Sequence, residues 1–111
     1  MDASTKKILS DAQMHLAMAV EYAQHGLEDQ LVMDAVCMRL AAGIEALSYL
    51  DESQVQQLVG PLWPMMWSAR NRIAQGYMFS ESDELRHRIQ RALPILLSAV
   101  QNSLKSQQRT A

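Results

Sequence analysis

The sequence predicts an all-α protein, an antiparallel bundle of four helices with one short extra helix. Apolar residues recur at helical spacing in four segments, and no segment alternates with the period of two that is typical of strands. Only four glycines and three prolines are available for turns, which favours few, long elements. A length of 111 residues fits a single domain, with its core at about 5–104 and a polar tail at 105–111.

The first predicted helix begins at a cap on Ser4 and continues to about Gln24. Its apolar stripe has helical spacing and consists of Ile8, Ala12, Leu16, Ala19 and Ala23. The dipeptide His25-Gly26 that follows is a usual helix stop, because glycine readily adopts the left-handed conformation that closes a helix.

The second predicted helix runs from about Asp29 to Leu50. The stripe that we expect to face the core is Leu31, Ala35, Met38, Ala42, Ala46 and Tyr49, flanked by Val32, Val36, Leu47 and Leu50. Glu45 falls beside this stripe, and a carboxylate at the edge of a core requires a basic partner.

Ser53 is expected to cap a short helix that ends at Gly60-Pro61. The next helix begins near Pro64 and ends at Gly76, the usual positions of proline and glycine at helix ends. The tryptophans on the two sides of Pro64, Trp63 and Trp67, are expected to anchor this connection in the core.

The last predicted helix begins in the segment 80–84, where serines are followed by acidic residues. Its apolar face is Leu85, Ile89, Ala92, Leu93, Leu96, Leu97 and Val100, and Pro94 should kink it or remove a hydrogen bond. Arg86 lies near the edge of this face, and we expect it to pair with Glu45. Arg88 and Arg91 are expected to face solvent.

Several classes of protein are disfavoured. No window approaches the roughly 18 unbroken apolar residues of a membrane span, and the N-terminus does not resemble a signal peptide. A single cysteine, Cys37, excludes an internal disulfide and suits a reducing compartment, so we expect a cytoplasmic location. The three histidines lack metal-site spacing, and there is no glycine-rich phosphate loop, so neither a metal nor a cofactor is expected.

The net charge of −2 conceals an uneven distribution. The chain up to Glu52 has a balance of −6, and the remainder has a balance of +4. Solvated helix faces would explain this split, and a basic half could also accept phosphate.

The segment Trp67–Tyr77 carries the most distinctive polar residues. On a helix, Asn71 and Gln75 stand one turn apart, and Arg70 lies about 100° round the axis from Asn71. This is a hydrogen-bonding face without an obvious general base. It could bind a phosphate or another protein, and two such faces across a twofold axis would form a denser site.

The run Arg70-Asn71-Arg72-Ile73-Ala74-Gln75-Gly76-Tyr77 resembles the signature of HEPN domains, in particular the HepT-like toxins of prokaryotic toxin–antitoxin modules. That signature is Arg, four intervening residues, His, one residue and Tyr. The resemblance extends to Gly43-Ile44-Glu45-Ala46, to the tryptophans before Arg70 and to Leu93-Pro94-Ile95-Leu96-Leu97, and it covers about residues 5 to 100.

The resemblance implies a metal-independent endoribonuclease whose active site forms where two copies meet in a homodimer. Arg70 would bind the scissile phosphate, Asn71 would orient the phosphate or its neighbour, and Arg72 would contribute to substrate binding. Position 75 would supply the histidine that transfers a proton. The tyrosine at position 77 is a candidate for AMP modification by a nucleotidyltransferase antitoxin, and Glu45 and Arg86 would support the site.

The chain departs from the family at position 75, where it has glutamine. An amide forms hydrogen bonds but does not transfer protons near neutral pH, so the activity should fall by about 10²–10⁴-fold. The chain is then either a degenerate member kept for binding or an inactivated variant of a toxin. The alternatives are a non-catalytic module that binds a nucleotidyltransferase, a nucleotide or RNA, and a helical dimer whose motif only makes interface hydrogen bonds.

Overall fold

The computed structural model describes residues 2–76 and 83–110, with side chains for 2–76 and 86–106. These ranges contain five α-helices and no strand: α1 Ala3–Ala23, α2 Gln30–Leu47, α3 Glu52–Val59, α4 Trp63–Ala74 and α5 Asp83–Thr110. A 3₁₀ turn, Gly60–Leu62, joins α3 to α4. The predicted all-α bundle of four main helices and one short helix is confirmed.

One apolar core holds the bundle together. Helix α1 packs against both α2 and α5, α2 also contacts α4, and α3 contacts α5. The largest fully buried side chains are Leu16, Met33, Ile44, Leu47, Leu93, Val36, Val100 and Cys37. Burial of each large aliphatic side chain stabilises the fold by about 1.5–3 kcal/mol.

Each of the first three helices begins directly after an aspartate. Asp2 caps α1, because its Oδ1 accepts a hydrogen bond from the Thr5 amide at 2.7 Å, and this bond lowers the pKa of the Asp2 carboxyl. Asp51 precedes α3, and its amide donates to Gln54 Oε1 at 2.9 Å. The predicted caps on Ser4 and Ser53 are therefore wrong, since an aspartate two residues earlier begins each helix. The predicted start of α2 is confirmed, with Asp29 accepting from the Leu31 amide at 2.9 Å.

The buried face of α2 differs from the predicted one. Leu31, Met38 and Tyr49 are 80%, 71% and 70% exposed. The buried residues of α2 are Met33, Val36, Cys37, Leu40, Gly43, Ile44 and Leu47, of which Val36 and Leu47 were expected at the flanks of the stripe. Helix α2 is apolar on both sides, and Met33 lies about 200° round the axis from Leu31, so spacing alone selected the wrong side.

Helix α5 continues through Pro94, whose ring is exposed on the side away from the core. The described part of its buried face is Ile89, Leu93, Leu96, Val100 and Leu104, whereas Ala92 is exposed. The helix extends to Thr110, so it continues into the polar tail. The predicted start signal at 80–82 lies outside the described residues. Within the described ranges, no helix is long and apolar enough to cross a membrane.

Candidate functional site

Helix α4 carries the motif, and its limits agree with the prediction. Pro64 stands in its first turn, where a missing N–H leaves no hydrogen bond unmade. The helix ends at Ala74, and Gly76 follows with a φ of 82°, a left-handed conformation that glycine adopts without strain. The motif residues therefore occupy the last turns of α4 and its cap.

Arg70 is held by α2 and by its own neighbour. Its Nε donates to Glu45 Oε2 at 2.9 Å, and its Nη2 donates to the same oxygen. Its Nη1 donates to Asn71 Oδ1 at 2.9 Å. Because a guanidinium is planar, contacts on three of its nitrogens fix its orientation.

Trp67 supports the guanidinium from one side. Arg70 Cζ lies 4.9 Å from the Trp67 ring centroid, within the range of a cation–π interaction. Trp67 in turn stacks on Trp63, with centroids 5.8 Å apart and an interplanar angle of 30°. Both indoles are half-buried against the core, so their predicted anchoring role is confirmed.

The sequence pattern predicts a core position for Trp67 but not its contact with Arg70. The three-residue spacing between them was the available signal, because residues three apart on a helix are neighbours.

Arg70 retains hydrogen-bonding capacity. A guanidinium has five N–H donors, and the three bonds above use three of them, so two remain for a ligand. The Arg70 side chain is 27% exposed and that of Glu45 is 41% exposed. The cluster of Arg70, Glu45, Asn71 and Trp67 can therefore still bind an anion or another hydrogen-bond acceptor.

Arg70 lies in an open groove of about 850 Å³ between α1, α2 and α4. The groove residues are Ile8, Asp11, His15, Asp34, Met38, Ala41, Ala42, Glu45, Ala46, Tyr49, Arg70, Ile73 and Ala74. The outward side of α2 supplies six of these thirteen residues, and three of the six, Met38, Ala42 and Ala46, belong to the stripe that was predicted to face the core. The groove combines an apolar surface with three carboxylates.

The other predicted site residues have different surroundings. Asn71 is half-buried beside Arg70, whereas Arg72 and Gln75 are exposed and do not line the groove. Gln75 is the C-cap residue of α4, and its backbone N–H donates to the Asn71 backbone carbonyl at 3.1 Å. Tyr77 lies outside the described residues.

The predicted pairing of Arg86 with Glu45 is wrong. Arg86 Nε donates to the Leu27 carbonyl at 2.9 Å, and Glu45 binds Arg70 instead. The physical reason is the packing order: α4 lies against α2, whereas α5 packs against α1. Arg86 therefore fastens α5 to the connection between α1 and α2.

The remaining candidate groups offer little chemistry. Cys37 is fully buried, and burial together with the charge of Asp34 raises its pKa to about 11, so the thiol stays protonated and packs as an apolar group. His15 Nδ1 lies 3.1 Å from Arg39 Nη1. Within residues 2–76 and 83–110, no group of three potential ligands could hold a metal ion.

Comparisons with known proteins give no relative. No family model, curated protein or solved structure matches the chain.

Proposed function

We propose that the chain is a HepT-like, HEPN-type ribonuclease toxin scaffold that acts as a homodimer and is impaired by Gln75. The observation that supports this proposal best is the fixed Arg70 guanidinium, which keeps two N–H donors at the edge of an open groove. A positively charged donor held in place before the substrate binds is what stabilisation of a phosphate transition state requires.

The proposed roles follow from the side chains. Arg70 binds the phosphate whose bond is cleaved. Asn71 helps to orient the guanidinium, because its Oδ1 accepts a hydrogen bond from Arg70 Nη1. Arg72, exposed on the same helix, contributes to RNA binding. Position 75 is the place for proton transfer, and an amide there cannot perform it.

A second copy completes the site in this proposal. One copy supplies a single Arg70, whose charge is largely matched by Glu45, and that is a weak site for a polyanion. The exposed end of α4 around Gln75 is the segment that meets its copy across the twofold axis. Two copies then place two arginine clusters on one phosphate. The proposed partners are a nucleotidyltransferase antitoxin that modifies Tyr77, and RNA, in the cytoplasm.

The test compares the chain as given with Gln75→His, in growth assays and in RNA cleavage without added metal. We expect the histidine form to cleave RNA about 10²–10⁴-fold faster and to arrest growth. Gln75→Asn is the matched control, since it changes the side chain without adding a titratable group. Arg70→Ala in the histidine form should abolish the gain. A histidine form that is dimeric and silent would rule out the ribonuclease.

The acidic residues around the groove favour a second candidate, a non-catalytic binding module. Asp11, Asp34 and Glu45 line the groove with Arg70, and carboxylates repel phosphate while they attract cationic partners. In this case Gln75→His produces no cleavage, and Arg70→Ala changes only the binding of a partner.

A further inference from the structure

The groove beside Arg70 has an apolar floor that no described helix covers. The floor consists of Tyr49, just past the end of α2, and of the outward side of α2, with Met38, Ala41, Ala42 and Ala46. Met38 and Tyr49 are 71% and 70% exposed. Ile8 of α1 and Ile73 of α4 extend the apolar surface up the two walls. Apolar side chains that line an open groove are the surface that a bound amphipathic helix would cover.

The shape of the groove suits a helix. Its residues on this side run from Asp34 on α2 to Tyr49, two residues past the end of α2, which at about 1.5 Å per residue is a length of about 22 Å. Helix α1 borders one side of this floor and α4 borders the other. An amphipathic helix of about 15 residues can lie in such a groove with its apolar stripe on the floor.

The charges around the floor specify the sign of the occupant. Three carboxylates, Asp11, Asp34 and Glu45, line the groove. The positive charge of Arg70 offsets part of their negative charge. Asp34 accepts a hydrogen bond from the neutral Gln30 amide at 2.7 Å. Asp11 pairs with Lys7 in an exposed contact that is easily exchanged. Lysines or arginines on an incoming helix would therefore find carboxylate partners.

We propose that this groove binds a basic amphipathic helix of another protein, with the apolar stripe of that helix on α2 and its cations beside Asp11 and Asp34. The seated helix covers Arg70. The docking itself does not depend on ribonuclease activity. That a bound helix would inhibit RNA cleavage by covering Arg70 rests on the proposed function.

Helix α5 of a second copy fits the groove less well than a basic amphipathic helix. Helix α5 contributes the exposed Arg91 and belongs to the basic half of the chain. Within its described side chains, however, Ile95 is the one large apolar residue that is strongly exposed. A single isoleucine does not provide the stripe that the floor would bury.

The test measures the anisotropy of labelled helical peptides on addition of the full chain. One peptide carries a leucine stripe flanked by lysines, and a second carries the same stripe flanked by glutamates. Neither contains tryptophan. We expect the basic peptide to bind at least about tenfold more tightly, with an affinity that falls as salt is added.

Variants locate the binding site. Asp34→Lys and Met38→Glu should each weaken binding of the basic peptide by about tenfold or more. Two controls should leave it unchanged: Leu31→Glu, on the same helix and 80% exposed, and Glu21→Lys, exposed on α1; neither residue lines the groove. Because Trp67 touches Arg70, its fluorescence should change when the peptide binds, including in a Trp63→Phe form.

Several results would overturn the proposal. These are equal binding of both peptides, no binding of either, or an unchanged affinity for Asp34→Lys and Met38→Glu. Self-association of the chain that Met38→Glu abolishes would assign the groove to a second copy. All of these measurements omit RNA, so a ribonuclease test that fails does not affect them.

Discussion

Arg70 Nε donates a hydrogen bond to Glu45 Oε2 at 2.9 Å, and this contact joins α4 to α2 at the edge of the groove. Both side chains are partly exposed, so solvent screens the pair and its contribution to stability is about 0–1 kcal/mol. What the pair provides is orientation, because the carboxylate and Asn71 together determine which way the guanidinium points.

We predict that Glu45→Ala releases Arg70 while leaving the protein folded. The free energy of unfolding should fall by about 1 kcal/mol or less, as expected for a partly exposed ion pair. The NMR signal of the Arg70 Nε–H should broaden through faster exchange with water. Glu45→Gln is the control, since its amide oxygen still accepts the bond. A sharp, protected Arg70 signal in Glu45→Ala would contradict this role.

The fold could be predicted because local signals agree with the packing. Gly26 and Gly76 both adopt positive φ at the helix ends where glycine is expected. The limits of α4 follow from Pro64 and Gly76 in the same way. These features depend on residues close in sequence, and a helix pattern with glycine at its ends leaves few alternatives.

The surroundings of the site could be predicted only in part. Helix α2 has apolar residues on both sides, and which side becomes the core depends on where α1 and α4 lie. The partner of Glu45 depends on the same packing order, so the sequence alone predicts Arg86 whereas the structure has Arg70. Periodicity gives the spacing of a stripe but not the identity of its neighbour.

Trp67→Leu should lower the stability of the fold and remove one of the contacts that orient the Arg70 guanidinium. The change removes the cation–π contact and the stack on Trp63, and we expect the free energy of unfolding to fall by about 1–3 kcal/mol. Trp67→Phe keeps an aromatic face and should recover part of the loss. Urea denaturation followed by circular dichroism measures both. Equal losses for leucine and phenylalanine would show that the ring face has no role.

Gly43→Ala should destabilise the contact between α1 and α2. A Cβ at position 43 would lie 3.0 Å from the Leu16 side chain, which is fully buried. Overpacking of this kind costs about 1–3 kcal/mol, and the better helix propensity of alanine offsets up to about 1 kcal/mol.

We therefore expect a net loss of about 1 kcal/mol in thermal or urea unfolding of Gly43→Ala. In a double-mutant cycle, Leu16→Ala removes the obstructing atoms, so the added loss from Gly43→Ala should disappear. A cost that persists in the double variant would place its cause elsewhere.

The buried thiol of Cys37 should make the free energy of unfolding depend on pH in alkaline solution. Burial raises the pKa of its thiol from 9.0 to about 11, so the folded protein keeps a proton that the unfolded chain loses. Stability from this residue is complete below about pH 9 and is lost as the pH rises toward 11. The free energy of unfolding should fall by about 1–3 kcal/mol across this window.

The measurement compares the slope of stability against pH for the chain and for Cys37→Ala. The variant lowers the overall stability by leaving a cavity, and therefore the slopes, rather than the absolute values, are informative. Parallel slopes between pH 9 and 11 would contradict the raised pKa. At pH 8, thiol reagents should label the chain only after urea unfolds it.

The proposed homodimer can be tested with a cysteine at the exposed end of α4. In a Cys37→Ala background, Gln75→Cys should form a covalent dimer with a short bismaleimide reagent, because the twofold axis would bring the two thiols close together. Gln24→Cys is the matched control, since Gln24 is also an exposed glutamine that caps the end of a helix, α1. Sedimentation of the uncrosslinked forms shows whether either change disturbs assembly. A chain that sediments as a monomer, or crosslinks equally well from position 24, would remove the basis for a composite site around Arg70.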